Sequence, residues 1–191
     1  MYYGVQPLAC LFRTFFCSVK NREIRAQTQP REIQAGWRLE GLAAVDASGA
    51  LATVKLPSAE TERLLIITFS PNCPYSRANT PGYRRLAEAL RARGSWRVVW
   101  ISQNLEMATR RYCGEQHLPL GDVLWNPSHW TYNQLGLGAV PNVIAVDYGG
   151  VVGRVWRGEL DPRRWREIAD YTGIPYQAVL TGSASATERA H

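Results

Sequence analysis

A chain of 191 residues, 46% hydrophobic and 20% charged, suits one domain of ordinary size with flexible ends and is too apolar to be disordered throughout. The formal net charge is +6 and every cation except Lys20 and Lys55 is arginine, but the arginines are scattered and no basic stripe interleaved with aromatics argues for nucleic acid as a partner. No apolar run approaches the ~20 residues that span a bilayer, and Cys10, Cys17, Cys73 and Cys113 form neither an evenly spaced disulfide framework nor a zinc pattern.

Residues 1–35 read as an N-terminal extension. Within it, residues 8–19 are apolar but short and are interrupted by Arg13. A secretion-signal or anchor remnant and an unstructured extension both stay open there, and any membrane association would run through this segment alone. Residues 20–34 are polar, a linker or a frayed helix. Cys10 and Cys17 are free to pair with each other or with another chain.

The first ordered unit expected is a β-hairpin, residues 39–45 and 51–56, around the turn-forming Asp46-Ala47-Ser48-Gly49. Residues 64–69 are a continuous apolar run of strand length, as in a strand buried on both faces. Ser70-Pro71-Asn72 ends it. A helix follows with Tyr83, Leu86, Ala87 and Leu90 on one stripe and arginines opposite, stopping at Gly94. Residues 96–101 form the next strand, and Asn104 is placed to cap a helix running to about residue 113 or 116. A brief strand at 123–124 and a short helix over 128–135 come next, the latter ending at Gly136 and Gly138.

Val140-Pro141 leads into a strand over 142–147, and Tyr148-Gly149-Gly150 turns the chain back into 151–156. Asp161-Pro162 is a strong helix start, a capping side chain followed by proline in the first turn, with Trp165, Ile168 and Ala169 as the buried stripe. Residues 174–191 read as a flexible tail. Alternating strands and helices imply parallel neighbours, while the closing pair, joined by three residues, must be antiparallel. The fold class is therefore α/β, a mixed central sheet with helices on both faces and an N-terminal hairpin. The tryptophans are core and rim residues, and His117 and His129 are ordinary surface or loop residues. No metal site and no cofactor is implied.

The chemistry centres on Cys73. A cysteine at a helix start faces unpaired backbone N–H groups and the positive end of the helix dipole. Both favour thiolate, the nucleophilic form. Pro74 lacks an N–H and fits the first turn at no hydrogen-bond cost. Ser76 lies one turn on, with a hydroxyl able to donate to the sulfur. If the Val140–Pro141 bond is cis, the Val140 backbone is left open to pair with an extended substrate.

The run Phe69-Ser70-Pro71-Asn72-Cys73-Pro74-Tyr75-Ser76-Arg77 between strand and helix resembles the active-site segment of the thioredoxin-like superfamily. The match is to its redoxin branch of TlpA-type, MauD-type and alkyl hydroperoxide reductase/thiol-specific antioxidant proteins. Pro81, eight residues after Cys73, is similar to the family's kinking proline, and Ala139-Val140-Pro141 is similar to its cis-proline loop. Residues 142–158 follow its ending of strand, Asp, Gly turn, strand and Gly. The resemblance covers the domain assigned to residues 36–173.

That resemblance implies a thioredoxin-like fold and a thiol-based redox enzyme. Cys73, Ser76 and Pro141 would be its catalytic residues, and Pro74, Tyr75 and Val140 would contact substrate. It implies protein thiols and disulfides, glutathione or peroxide as substrates, and antioxidant and redox-homeostasis roles; it suggests a place outside the cytoplasm, while the residues themselves leave a cytoplasmic one open. Two departures matter. Ser76 stands where the family places a second cysteine, so no local disulfide can form, and Asn72 replaces a tryptophan. Cys113 is a candidate resolving cysteine. Ser70 stands where thiol peroxidases carry threonine or serine, although no matching arginine is assigned. A catalytically inactive binding or assembly module on the same fold is the alternative.

Overall fold

The computed structural model of the protein describes residues 32–94 and 96–181. The readings made for residues 1–31, Cys10 and Cys17 included, and for residues 182–191 lie outside the described residues. Strands β1 (Ala43–Val45) and β2 (Leu51–Thr53) form the expected hairpin, shorter than read, with Ala44 opposite Ala52. Its turn is held by the Asp46 carboxylate, which accepts from the Ser48 and Ala50 N–H groups and from the Ser48 hydroxyl. Those bonds favour the charged form and lower the Asp46 pKa.

The main sheet has five strands: β3 (Leu64–Phe69), β4 (Arg97–Ser102), β5 (Val123–Leu124), β6 (Asn142–Asp147) and β7 (Val151–Arg157). Their order is β5-β4-β3-β6-β7. β3, β4 and β5 run parallel, and β6 is antiparallel to both β3 and β7. Five helices occur among the described residues: α1 (Pro74–Arg93), α2 (Glu106–Gln116), α3 (His129–Gln134), α4 (Pro162–Thr172) and α5 (Tyr176–Thr181).

The alternation of side chains along each strand divides the core in two. Leu65, Ile67, Phe69, Trp100, Val143 and Ala145 face Tyr83, Leu86 and Leu90 of α1, Tyr112 of α2 and Trp165 and Ile168 of α4. Leu64, Ile66, Ile101, Ile144 and Val146 face the other way, against Ile33, Leu39, Leu42, Val54, Leu135 and Leu137. Full burial of each such side chain contributes roughly 1.5–3 kcal/mol. Helices were expected on both faces. The second face is covered chiefly by the chain before β3 and the loop after α3, because α3 is a single short helix reaching it through Tyr132.

Two glycines are required by close approach. A Cβ on Gly82 would sit 2.5 Å from Trp165 Cζ2, so its absence lets α1 and α4 meet. Gly150 turns β6 into β7 at φ +75°, and a Cβ there would lie 2.8 Å from the Leu39 carbonyl oxygen.

Asn104 does not cap α2. The N-cap position is Leu105, and the Asn104 carboxamide instead accepts from the Ser70 hydroxyl at 2.8 Å. Ser128 and Asp161 do cap their helices, accepting from the Thr131 and Arg164 N–H groups. Residues 176–181, expected to be flexible, form α5, because Ala178 and Val179 bury themselves in the helix-side core and Arg85 Nε donates to the Val179 carbonyl.

Candidate active site

β3 delivers the chain to the carboxyl end of the sheet at Phe69, and the turn through Ser70, Pro71 and Asn72 sends it into α1. Cys73 occupies the N-cap position of α1 with extended backbone (φ −87°, ψ 122°), and no side chain caps the helix. Pro74 opens the first turn. The free N–H groups of that turn and the helix dipole therefore lie at the residue that carries the thiol. The Cys73 N–H donates to Ser70 O at 3.1 Å, and Cys73 O accepts from the Arg77 N–H at 3.1 Å.

The Val140–Pro141 bond is cis. Cys73 Sγ donates to the Val140 carbonyl at 3.4 Å, across 67 positions of sequence. Cys73 is half-buried, with Pro74 exposed and Tyr75 50% exposed beside it. Of the residues singled out in the sequence, Cys73 and Val140 are thus brought together at this end of the sheet, with Pro74 and Tyr75 exposed after the thiol and Pro141 buried behind Val140.

Ser76 does not act as read. It is fully buried, and its hydroxyl oxygen accepts from the Ser70 N–H at 3.2 Å, tying the first turn of α1 to the end of β3. The hydrogen-bond partner of Cys73 Sγ is the Val140 carbonyl. Cys113 is not brought to the surface either. It is 1% exposed in the helix-side core, both cysteines are free thiols, and burial pushes the Cys113 thiol up to about 11, Arg110 only partly opposing. Such a thiol is a poor nucleophile at neutral pH. Ser70, read as a peroxidase-like hydroxyl, spends its donor on Asn104 and accepts from the Asn72 N–H at 3.3 Å.

Residues that sequence reasoning passed over hold the site together. Asn79, on the second turn of α1, donates to the Gly158 carbonyl (2.8 Å) and Tyr83 Oη (3.0 Å) and accepts from the Leu160 N–H (3.2 Å). The Gly158 N–H in turn donates to Pro141 O at 2.8 Å, so α1, the β7–α4 loop and the cis-proline loop are stapled together. Asn142 fixes the same loop from within: its side chain donates to Ala139 O at 2.7 Å and its N–H to Thr68 Oγ1 at 2.9 Å. Arg77 donates from Nε to Pro71 O at 2.9 Å, lies over the Tyr112 ring and pairs with Glu115 at 3.4 Å. Its position at α1's first turn was the available signal for Arg77, whereas Asn79 and Asn142 carry none.

Burial raises the Tyr83 and Tyr112 pKa values, so both phenols stay neutral beside the site. Next to Asn104, Leu105 at the N-cap of α2 and Met107 in its first turn are 70% and 84% exposed. No group of three His, Cys, Asp or Glu among the described residues could hold a metal ion.

No family model matches the chain, and no curated protein matches it. Solved structures do. The thioredoxin domain of a thiol-disulfide oxidoreductase from Bacteroides vulgatus is 14% identical, with a TM-score of 0.57 over 74% of this chain and 99% of that one. A peroxiredoxin-like protein from Aquifex aeolicus is 18% identical, with a TM-score of 0.60 over 76% of this chain and 89% of its own. A secreted disulfide oxidoreductase from Mycobacterium tuberculosis is 15% identical, with a TM-score of 0.53 over 69% and 93%. The chain therefore has the thioredoxin-like fold, as its redoxin-like segment implied.

Proposed function

We propose that this thioredoxin-fold chain is a thiol-disulfide oxidoreductase that works with Cys73 as its single nucleophile on protein thiols and disulfides. The observation that carries the reading is the meeting of Cys73 Sγ, at an uncapped helix N-terminus, with the Val140 carbonyl of the cis-proline loop at 3.4 Å. A substrate strand pairing with the Val140 backbone would set its own sulfur beside Cys73. The exposed Tyr75, two residues after Cys73, favours an apolar stretch of substrate protein beside that sulfur. The solved neighbours include a thiol-disulfide oxidoreductase and a disulfide oxidoreductase, which agrees with this class of chemistry.

The Cys73 thiolate attacks one sulfur of a substrate disulfide. A Cys73–substrate S–S bond forms, the substrate S–S bond breaks, and the leaving thiolate takes a proton from water. A second thiolate, from the same substrate or from glutathione, then attacks the mixed disulfide and releases Cys73. In the first case the substrate is isomerised; in the second, the external thiols supply two electrons. Ser76 offers a hydroxyl in place of a local resolving thiol, and Cys113 is withheld in the core. The extracytoplasmic setting belongs to the same proposal, an oxidising compartment being where such exchange has substrates.

The test is trapping with glutathione disulfide and with a disulfide-bonded protein, followed by peptide mass mapping. The adduct is expected at Cys73, retained in Cys113→Ala and absent in Cys73→Ser. An adduct confined to Cys113, or no adduct at Cys73, overturns the reading and leaves the binding module in its place. Oxidation of Cys73 to sulfenic acid by peroxide, without disulfide exchange, would replace exchange with peroxide reduction.

A further inference from the structure

At the end of the sheet away from Cys73, a cleft of about 750 Å³ opens beside the first residues of β3 and β4, where Leu64 and Arg97 pair in register. The connection from β2 to β3 supplies Lys55, Glu62 and Arg63, the last turn of α1 supplies Arg91, and Trp96 and Arg97 lead into β4. α1 separates this cleft from the thiol by its own length of 20 residues, about 30 Å, so the inference does not rest on the redox reading.

The charges of the lining do not balance. Arg91 pairs with Asp122, and Arg63 pairs with Asp147 at 3.1 Å while donating to the Glu60 and Glu62 carbonyls. The side chains of Lys55 and Arg97, by contrast, make no hydrogen bond or ion pair with any described residue. Glu62 is a charged neighbour of both, but its carboxylate is occupied: Oε2 accepts from the Ser58 N–H at 2.7 Å and from the Ser58 hydroxyl at 3.2 Å. Two unpaired cations against one carboxylate leave one positive charge unanswered. Loss of surrounding water lowers the Arg97 pKa, with Glu62 opposing, and a cation that has shed hydration gains from an anionic partner. The carbonyl end of α1 is partly spoken for, since Leu90 O and Arg91 O accept from the Gly94 N–H. The cleft also has an apolar side. Trp96 is half-buried, its ring centroid 6.1 Å from that of Tyr171, and Pro57 and Val98 line the same space.

We propose that this cleft binds a small aromatic carboxylate, its anionic group held by Arg97 and Lys55 and its ring against Trp96. A guanidinium meets a carboxylate with two parallel, charge-assisted bonds, and a flat ring covers indole surface that otherwise stays wet. The single unanswered charge matches a monoanion, and the volume lies within the range of small-molecule sites.

The experiment follows the Trp96 indole N–H resonance of the full chain by NMR, assigned with Trp96→Phe, during titration with 2-naphthoate at constant ionic strength. A saturable shift is expected. Arg97→Gln weakens apparent affinity about tenfold, the effect of losing a charge-assisted bond, and Lys55→Gln weakens it several-fold. Glu62→Gln keeps an acceptor for Ser58 while removing the competing charge, and tightens binding. Acetate, which lacks the ring, and 2-naphthylmethanol, which lacks the charge, each bind far more weakly. The proposal is overturned if the Trp96 resonance stays still, if either of those two compounds binds as well as naphthoate, or if Arg97→Gln and Lys55→Gln both bind as the parent does. A nucleoside monophosphate that binds more tightly than naphthoate overturns the carboxylate assignment.

Discussion

Asn79→Ala should be costly even though it leaves the Cys73 thiol in place. Asn79 is 3% exposed and makes three hydrogen bonds, to the Gly158 carbonyl, the Tyr83 hydroxyl and the Leu160 N–H. Each bond is worth about 1 kcal/mol net, and the backbone groups left unpaired in the interior cost about 1–3 kcal/mol apiece unless water replaces the amide. Partial solvation of the Gly158 loop brings the expected loss to about 3–5 kcal/mol, a large part of the 5–15 kcal/mol typical of a domain. Urea denaturation followed by tryptophan fluorescence reads it as a fall in midpoint with little change in slope. The Gly158 N–H also holds Pro141 O, so reaction at Cys73 should slow even where the variant is fully folded. A loss below about 1 kcal/mol with unchanged Cys73 reactivity would refute the staple.

Gly82→Ala should destabilise by about 1–3 kcal/mol, the clash with Trp165 exceeding the ~1 kcal/mol that alanine gains over glycine inside a helix. Trp165→Leu in the same chain should recover part of that loss, and a variant more stable than the parent would contradict the packing. Cys113 makes stability depend on pH. Its folded pKa of about 11 exceeds the ordinary 9.0, so its contribution is whole below pH 9 and is lost as pH rises through 11. The stability gap between the parent and Cys113→Ala should therefore narrow by about 1 kcal/mol between pH 8 and pH 10. Parallel stability curves over that range would refute it.

Much of this architecture is legible locally. The apolar run of β3, the Asp161-Pro162 start of α4 and the glycine stop at Gly94 each encode their element within a few residues. Cys73 at a helix start beside a proline loop was legible for the same reason, since strand, turn and Pro74 place it without reference to distant chain. What escaped depends on partners far away in sequence. Asn104 has a capping residue's chemistry, but Ser70, 34 positions earlier, claims its carboxamide. Ser76 has the right spacing to serve the sulfur, yet burial turns its hydroxyl toward the Ser70 N–H. Asn79 and Asn142 look like ordinary helix and strand residues until the loops they hold are in place. The composition after Gly173 suggests a tail, but two small apolar side chains suffice to dock α5 on α1.

Cys73 as the single nucleophile requires that the fold raise its reactivity while Cys113 stays withheld in the core. The most direct test is the rate at which a small aromatic disulfide reacts with the full chain carrying Cys10→Ser and Cys17→Ser, folded and in urea. One fast-reacting thiol is expected in the folded chain, mapped to Cys73 and faster than the same residue unfolded, with Cys113 reacting only after denaturation. A folded Cys73 no faster than its unfolded counterpart, or a native Cys113 reacting alongside it, would contradict it.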